Sequence, residues 1–185
     1  MPCLIKATLA ELEQISMERD DKKTNKSLVK DLLCRLQCRL CYTPSAEKLN
    51  SEDTLLWAQS LERLLQSKYG MAVFRAFLKS EFSDENIDFW LTCENYKKIK
   101  SSEKMKSEAK KIYELYIQAE APKEVNIDHQ TRELIRGQMK TPSTLCFDEA
   151  QNIVYRLMER DSYPRFLRSN IYKTLLDSAP GSIKV

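Results

Sequence analysis

Apolar residues in this chain recur at three- and four-residue intervals over most of its length, and polar, proline-bearing breaks separate short runs. Leu55, Leu56, Leu61, Leu64 and Leu65 follow the capping triplet Ser51-Glu52-Asp53, with Trp57 adding apolar bulk, and this segment is expected to end at Gly70. Val73, Phe74, Phe77 and Leu78 form a second helical stripe. Ser83 is expected to cap a helix whose first turn holds Asp84 and Glu85, with Ile87, Trp90, Leu91 and Tyr96 on its buried face and Asn86 at the rim. Ser102 opens a further helix with Met105, Ala109, Ile112, Tyr113, Tyr116 and Ile117 on one side.

Periodicity fails between about Gln118 and Asp128. The stretch Ala121-Pro122-Lys123-Glu124-Val125-Asn126-Ile127-Asp128 predicts a loop in which Val125 and Ile127 anchor and Asn126 projects, with Asp128 capping the next helix and His129 exposed at its start. Leu134, Ile135 and Met139 continue the pattern until Thr141-Pro142-Ser143-Thr144 breaks it. Phe147, Ala150, Ile153, Val154 and Leu157 mark a longer helix, Pro164 suits the first turn of another, and Ile171, Tyr172, Leu175 and Leu176 close the core. The fold class expected is all-α.

Composition agrees: three glycines and six prolines in 185 residues, with Lys, Glu, Leu, Ala, Arg and Gln frequent, favour helix over sheet. A hydrophobic fraction of 42% is enough for one core. The net charge of +3, from 30 basic and 27 acidic residues, creates no overall field that calls for nucleic acid. Apolar runs fall far short of the roughly 20 residues a membrane span needs, and the absence of an opening secretory signal leads to the expectation of a cytoplasmic protein with reduced thiols.

Residues 1–50 read differently, as a basic tail with charge in runs and Tyr42 as the lone aromatic. From Asn25 to Cys41 a helical wheel gathers Leu28, Val29, Leu32, Leu33, Leu36 and Leu40 on one arc, and Cys34, Cys38 and Cys41 on another. From Lys22 to Cys41 six basic residues stand against Asp31, a net of +5. Such a segment is expected to lie on the anionic inner leaflet of the plasma membrane with its cysteines as acylation candidates. The alternatives are a helix docked on its own domain or a partly disordered tail. The C-x3-C-x2-C spacing can hold an iron-sulfur cluster, but the Gly-containing loop and barrel that such enzymes need are missing, and a zinc site lacks a fourth ligand near in sequence.

Enzymatic chemistry is hard to place. The chain has no G-x-x-x-x-G-K-S/T, G-x-G-x-x-G, G-x-S-x-G or H-E-x-x-H, and its single histidine, His129, leaves most acid–base and triad schemes without a base. The expectation is no active site of its own, no metal and no cofactor.

Three separated segments carry a resemblance: S-D-E-N-I-D-F-W-L-T-C-E at 83–94, A-P-K-E-V-N-I-D at 121–128, and C-F-D-E-A-Q at 146–151 followed by L-M-E-R-D-S-Y-P-R-F-L at 157–167. In this order and spacing they strongly resemble the regulator of G-protein signalling (RGS) family, over about residues 54–176, with residues 177–185 left as a short tail. The basic, cysteine-bearing tail is similar to that of the small subfamily with little beyond the domain. The resemblance implies a bundle of about nine short helices, a monomer that accelerates GTP hydrolysis by heterotrimeric G-protein α subunits (Gα), Gαi/o or Gαq among them, and attenuation of receptor signalling. The alternative is an RGS-homology scaffold that binds Gα or another signalling partner without accelerating hydrolysis.

By the same resemblance, Ser83, Glu85 and Asn86 form a first Gα-facing patch, Asn126 and Asp128 a second, and Leu157, Asp161, Ser162 and Arg165 a third. Asn126 would reach the catalytic Gln of Gα, Asp161 would accept hydrogen bonds from its switch backbone, and Arg165 would brace Asp161. The family also carries a cysteine at the position of Cys93 that is an acylation candidate, and basic residues such as Lys97 and Lys98 that bind acidic lipid or calmodulin; a part-buried thiol and a solvated basic face are the competing readings.

Overall fold

A computed structural model describes residues 51–178. The tail segment with Cys34, Cys38 and Cys41, and the residues after 178, lie outside the described residues. Among the described residues the secondary structure is entirely helical, as expected: α1 Ser51–Trp57, α2 Leu61–Gln66, α3 Lys68–Ser80, α4 Glu85–Tyr96, α5 Ser102–Ile112, α6 His129–Gln138, α7 Asp148–Leu157, α8 Tyr163–Arg168 and α9 Asn170–Ser178. Two π-helical turns, Tyr113–Ile117 and Met158–Ser162, continue α5 and α7.

Side chains start several of these helices. Ser60, Ser67, Ser101 and Asp128 each accept a hydrogen bond from a backbone N–H in the first turn of the helix that follows, satisfying a donor the helix itself leaves open. Gly70 does not end a helix, as its place after the leucine run suggested; it sits in the first turn of α3. A Cβ there would lie 2.7 Å from the Leu64 carbonyl oxygen and 2.9 Å from the Trp57 ring, so glycine is needed for close packing rather than for a stop. Leu55, Leu56 and Leu134 also depart from expectation: they are exposed, and Trp57 and Ile135 take the buried positions.

Two aromatic clusters fill the core. Phe166 meets Phe74 and Phe77 edge-on and packs beside Tyr172, joining α3 to α8 and α9. The Tyr163 hydroxyl donates to the Trp57 carbonyl at 2.6 Å and the Tyr172 hydroxyl to the Thr54 carbonyl at 2.7 Å, so the last two helices are fastened to the first. The other cluster is Phe89, Tyr116, Phe147 and Tyr96, which holds α4 against the first π-turn and the start of α7. Gln151 reinforces that contact by donating to the Trp90 carbonyl and to Glu94. Burial of this many large apolar side chains is the main stabilising term, each worth roughly 1.5–3 kcal/mol. None of the described helices is long and apolar enough to cross a membrane.

Candidate partner-binding site

The first expected patch follows the end of α3. Its last turn closes with the N–H of Ser83 on the Leu78 carbonyl (3.0 Å) and the N–H of Phe82 on the Lys79 carbonyl (3.2 Å), with Phe82 at φ 55°. This is the Schellman arrangement, whose left-handed position normally takes glycine. Here it holds a phenylalanine that is 86% exposed, a costly conformation combined with an unburied ring. The pattern reading missed Phe82; an aromatic where a helix-stop glycine is favoured was the available signal.

Ser83 corrects an expectation. Its side chain does not cap α4, since its hydroxyl faces the preceding helix and donates to the Leu78 carbonyl (3.4 Å), and α4 starts two residues later with no side-chain cap. The Schellman turn claims Ser83 for α3. Ile87 and Phe89 are fully buried, whereas Trp90 and Leu91 are only half-buried, so the anchoring face is rotated from the one expected. Glu85 and Asn86 lie half-buried at the rim. Burial pushes the Glu85 carboxyl above the usual carboxylate range, with Asp84 and Asp88 adding to the effect. The Asn86 side-chain oxygen is buried with no hydrogen-bond partner.

The second patch is a loop with its backbone pinned. Lys123 N–H donates to the Leu115 carbonyl and Val125 N–H to the Tyr116 carbonyl, both at 3.0 Å. Ile127 N–H then reaches back to the Val125 carbonyl, a tight turn around Asn126. With Val125 and Ile127 buried, Asn126 is exposed, as expected. Arg132 ties the loop to α6 by donating to the Ile117 carbonyl and pairing with Glu124 at 2.5 Å. Asp128 caps α6 with both carboxylate oxygens, one accepting from the Thr131 N–H and the other from its hydroxyl, and these bonds hold its pKa below the usual range.

The third patch is built by the second π-turn. A π-turn adds a residue to the helical repeat, which re-aims the side chains that follow it. Asp161 comes out exposed and Ser162 is turned inward, 4% exposed, so Ser162 is a buried residue and not the surface residue expected. Leu157 is 36% exposed. Arg165 forks onto both oxygens of Asp161 (3.2 and 2.8 Å), and this hydrogen bonding holds the Asp161 carboxyl below its usual range. The expected bracing of Asp161 by Arg165 is therefore present in the folded chain.

Ion pairs bring the three segments together. Arg165 also pairs with Glu81, in the turn just before Ser83. Lys123, from the second segment, reaches Asp88 at 2.7 Å and Asp84 at 3.5 Å, both beside the first patch. Asp88 is 7% exposed and its other oxygen takes the Arg75 Nε at 2.6 Å. The flanking cations outweigh the penalty of burial, so the Asp88 pKa is lowered while those of Arg75 and Lys123 are raised. Spacing alone gave no reason to single out this cluster, because Asp88 occupies a position that a helical wheel assigns to the rim.

Of the two readings of Cys93, the structure agrees with the buried thiol: its side chain is 1% exposed and burial pushes the thiol pKa far up. Lys97 pairs with Asp148 at 3.1 Å, and Lys98 donates to Asn95 at 3.4 Å. Among the described residues no group of three or more His, Cys, Asp and Glu side chains converges as metal ligands.

Residues 60–175 match the Regulator of G protein signaling domain family. Regulator of G-protein signaling 5 of Rattus norvegicus is 58% identical over 132 residues, covering 71% of this chain and 73% of its own length. Regulator of G-protein signaling 8 of Mus musculus is 53% identical over 133 residues, 72% of this chain and 74% of its own. Regulator of G-protein signaling 13 of Homo sapiens is 52% identical over 142 residues, 75% and 89% respectively. With most of its length matched by the family and its relatives, the chain belongs to the regulator of G-protein signalling family.

Proposed function

We propose that this protein is a GTPase activator for heterotrimeric G-protein α subunits, Gαi/o or Gαq among them, and that it thereby attenuates receptor signalling. The observation that carries the reading is the joining of three sequence-distant segments through Arg165–Glu81 and Lys123–Asp88 on a bundle with rigid aromatic clusters. A Gα subunit already has its catalytic Arg in cis and a Gln that orients water. A fixed surface that binds the switch segments better in the transition state than in the GTP ground state lowers the barrier without donating a catalytic group.

In this reading Asn126 engages the Gln and a neighbouring switch residue, and Asp161 accepts from switch backbone amides. Arg165 aims Asp161, and the buried, unpartnered oxygen of Asn86 supports a donor arriving from the partner. Single-turnover GTP hydrolysis by Gαi, Gαo, Gαq, Gαz and Gαs tests both activity and preference. Replacing Asn126 and Asp161 together by Ala should abolish the acceleration, and a doubly substituted protein at the wild-type rate sinks the assignment.

The basic, leucine-rich segment with Cys34, Cys38 and Cys41 supports attachment to the inner leaflet of the plasma membrane. Removing residues 1–45 should abolish sedimentation with anionic vesicles and leave acceleration in solution intact; unchanged sedimentation overturns it.

A further inference from the structure

Asp88 has more positive charge around it than it needs. A buried carboxylate requires one well-placed cation and its hydrogen bonds, and Arg75, on α3, supplies that at 2.6 Å while itself only 16% exposed. A second cation arrives from elsewhere: the Lys123 ammonium sits 2.7 Å from the other oxygen, and its flexible stem is pinned to make that contact. Lys123 stands three residues before Asn126, and its own N–H is fixed to the Leu115 carbonyl, so both its backbone and its side chain are held. Asp88 stands two residues after Asn86 on α4, and Asp84, the secondary partner at 3.5 Å, precedes Glu85. The chain between the two patches runs through α4, α5 and a π-turn, too far for local geometry to set their spacing.

We propose that Lys123, seated on Asp88, is a positioning residue that fixes the spacing between the Glu85–Asn86 turn and the Asn126 turn, and so governs how far the partner is rigidified rather than how tightly it is held. This rests on the GTPase-activating reading. Without the tether the Asn126 turn keeps its buried anchors Val125 and Ile127 but gains freedom relative to α4. Small misplacements of a positioning group cost far more in rate than in binding.

The test uses the full chain with Lys123→Met, which keeps the apolar stem and removes the charge, and with Lys123→Arg, which keeps the charge. Single-turnover hydrolysis by Gαi is followed over a range of activator concentration, and amide exchange is measured on the activator alone. Lys123→Met should lower the maximal rate about tenfold with the half-saturating concentration changed by less than about threefold. Amides of residues 119–127 should exchange faster while those of α3 and α9 stay protected, and Lys123→Arg should restore most of both. A wild-type maximal rate, a change confined to half-saturation, or uniformly faster exchange throughout the bundle overturns the proposal. If the wild-type chain accelerates no α subunit the GTPase reading fails by itself, and unchanged exchange at 119–127 separately removes the tether.

Discussion

The Asn126 loop and the Asp161 turn present polar side chains outward with comparable definition, yet different physics holds them. The loop is secured from beneath: two buried apolar anchors, two backbone hydrogen bonds to the preceding π-turn, and a lysine reaching a carboxylate that is 7% exposed. The Asp161 turn is secured from above, by an exposed guanidinium that forks onto the carboxylate it positions and also reaches Glu81. The two cations are equally exposed, and the difference lies in the carboxylates: Asp88 is shielded from water and salt, whereas Asp161, 70% exposed, is open to both. Aiming a side chain therefore does not require a stabilising contact, and substitutions in the two regions should separate stability from activity in opposite ways.

The largest effect is expected at Asp88. Asp88→Ala leaves Arg75 without its partner at a largely buried site and should destabilise the domain by about 3 kcal/mol, read by urea unfolding. Arg165→Ala removes an exposed brace and should cost less than about 1 kcal/mol. Its effect should instead appear as a loss of GTPase acceleration of roughly tenfold or more, since Asp161 loses its orientation. Equal stability losses for the two variants would contradict the difference between the buried and the exposed carboxylate.

Acid should act on the buried region. The folded-state pKa of Asp88 lies below its ordinary value, so its contribution is present above about pH 4 and disappears as pH falls through the depressed value. The melting-temperature gap between wild type and Asp88→Asn should accordingly be constant from pH 5 to 7 and narrow below about pH 4. A gap that widens in acid contradicts the sign of the shift.

The smallest effect is expected at Phe82. Phe82→Gly relieves the left-handed strain and should leave the domain unchanged or up to about 1 kcal/mol more stable. If the exposed ring contacts the partner, the same variant should weaken activation, and a more stable, fully active variant would remove Phe82 from the surface.

Much of the bundle was legible because helices announce themselves locally. Leu61, Leu64, Val73, Phe74, Phe77, Leu78, Ala150 and Val154 fall where their spacing put them, and Asp128 caps as its place before a helix required. The site was legible in part. Asn126 stood out as a polar residue between two apolar ones, and Asp161 with Arg165 sat one helical turn apart. What failed were positions decided by a neighbouring element: Ser83 was taken by the turn ending α3, and Ser162 was rotated inward by the π-turn.

The sequence by itself determined the helical class, the family, and which polar residues interrupt the apolar pattern, because periodicity, capping and motif order are written within a few consecutive residues. Only the tertiary structure decided that Lys123 and Arg75 share Asp88 and that Glu81 meets Arg165. Those partners are 13 to 84 residues apart in the chain. Their pairing follows from how the helices pack, and no local pattern encodes a charge's distant counterpart.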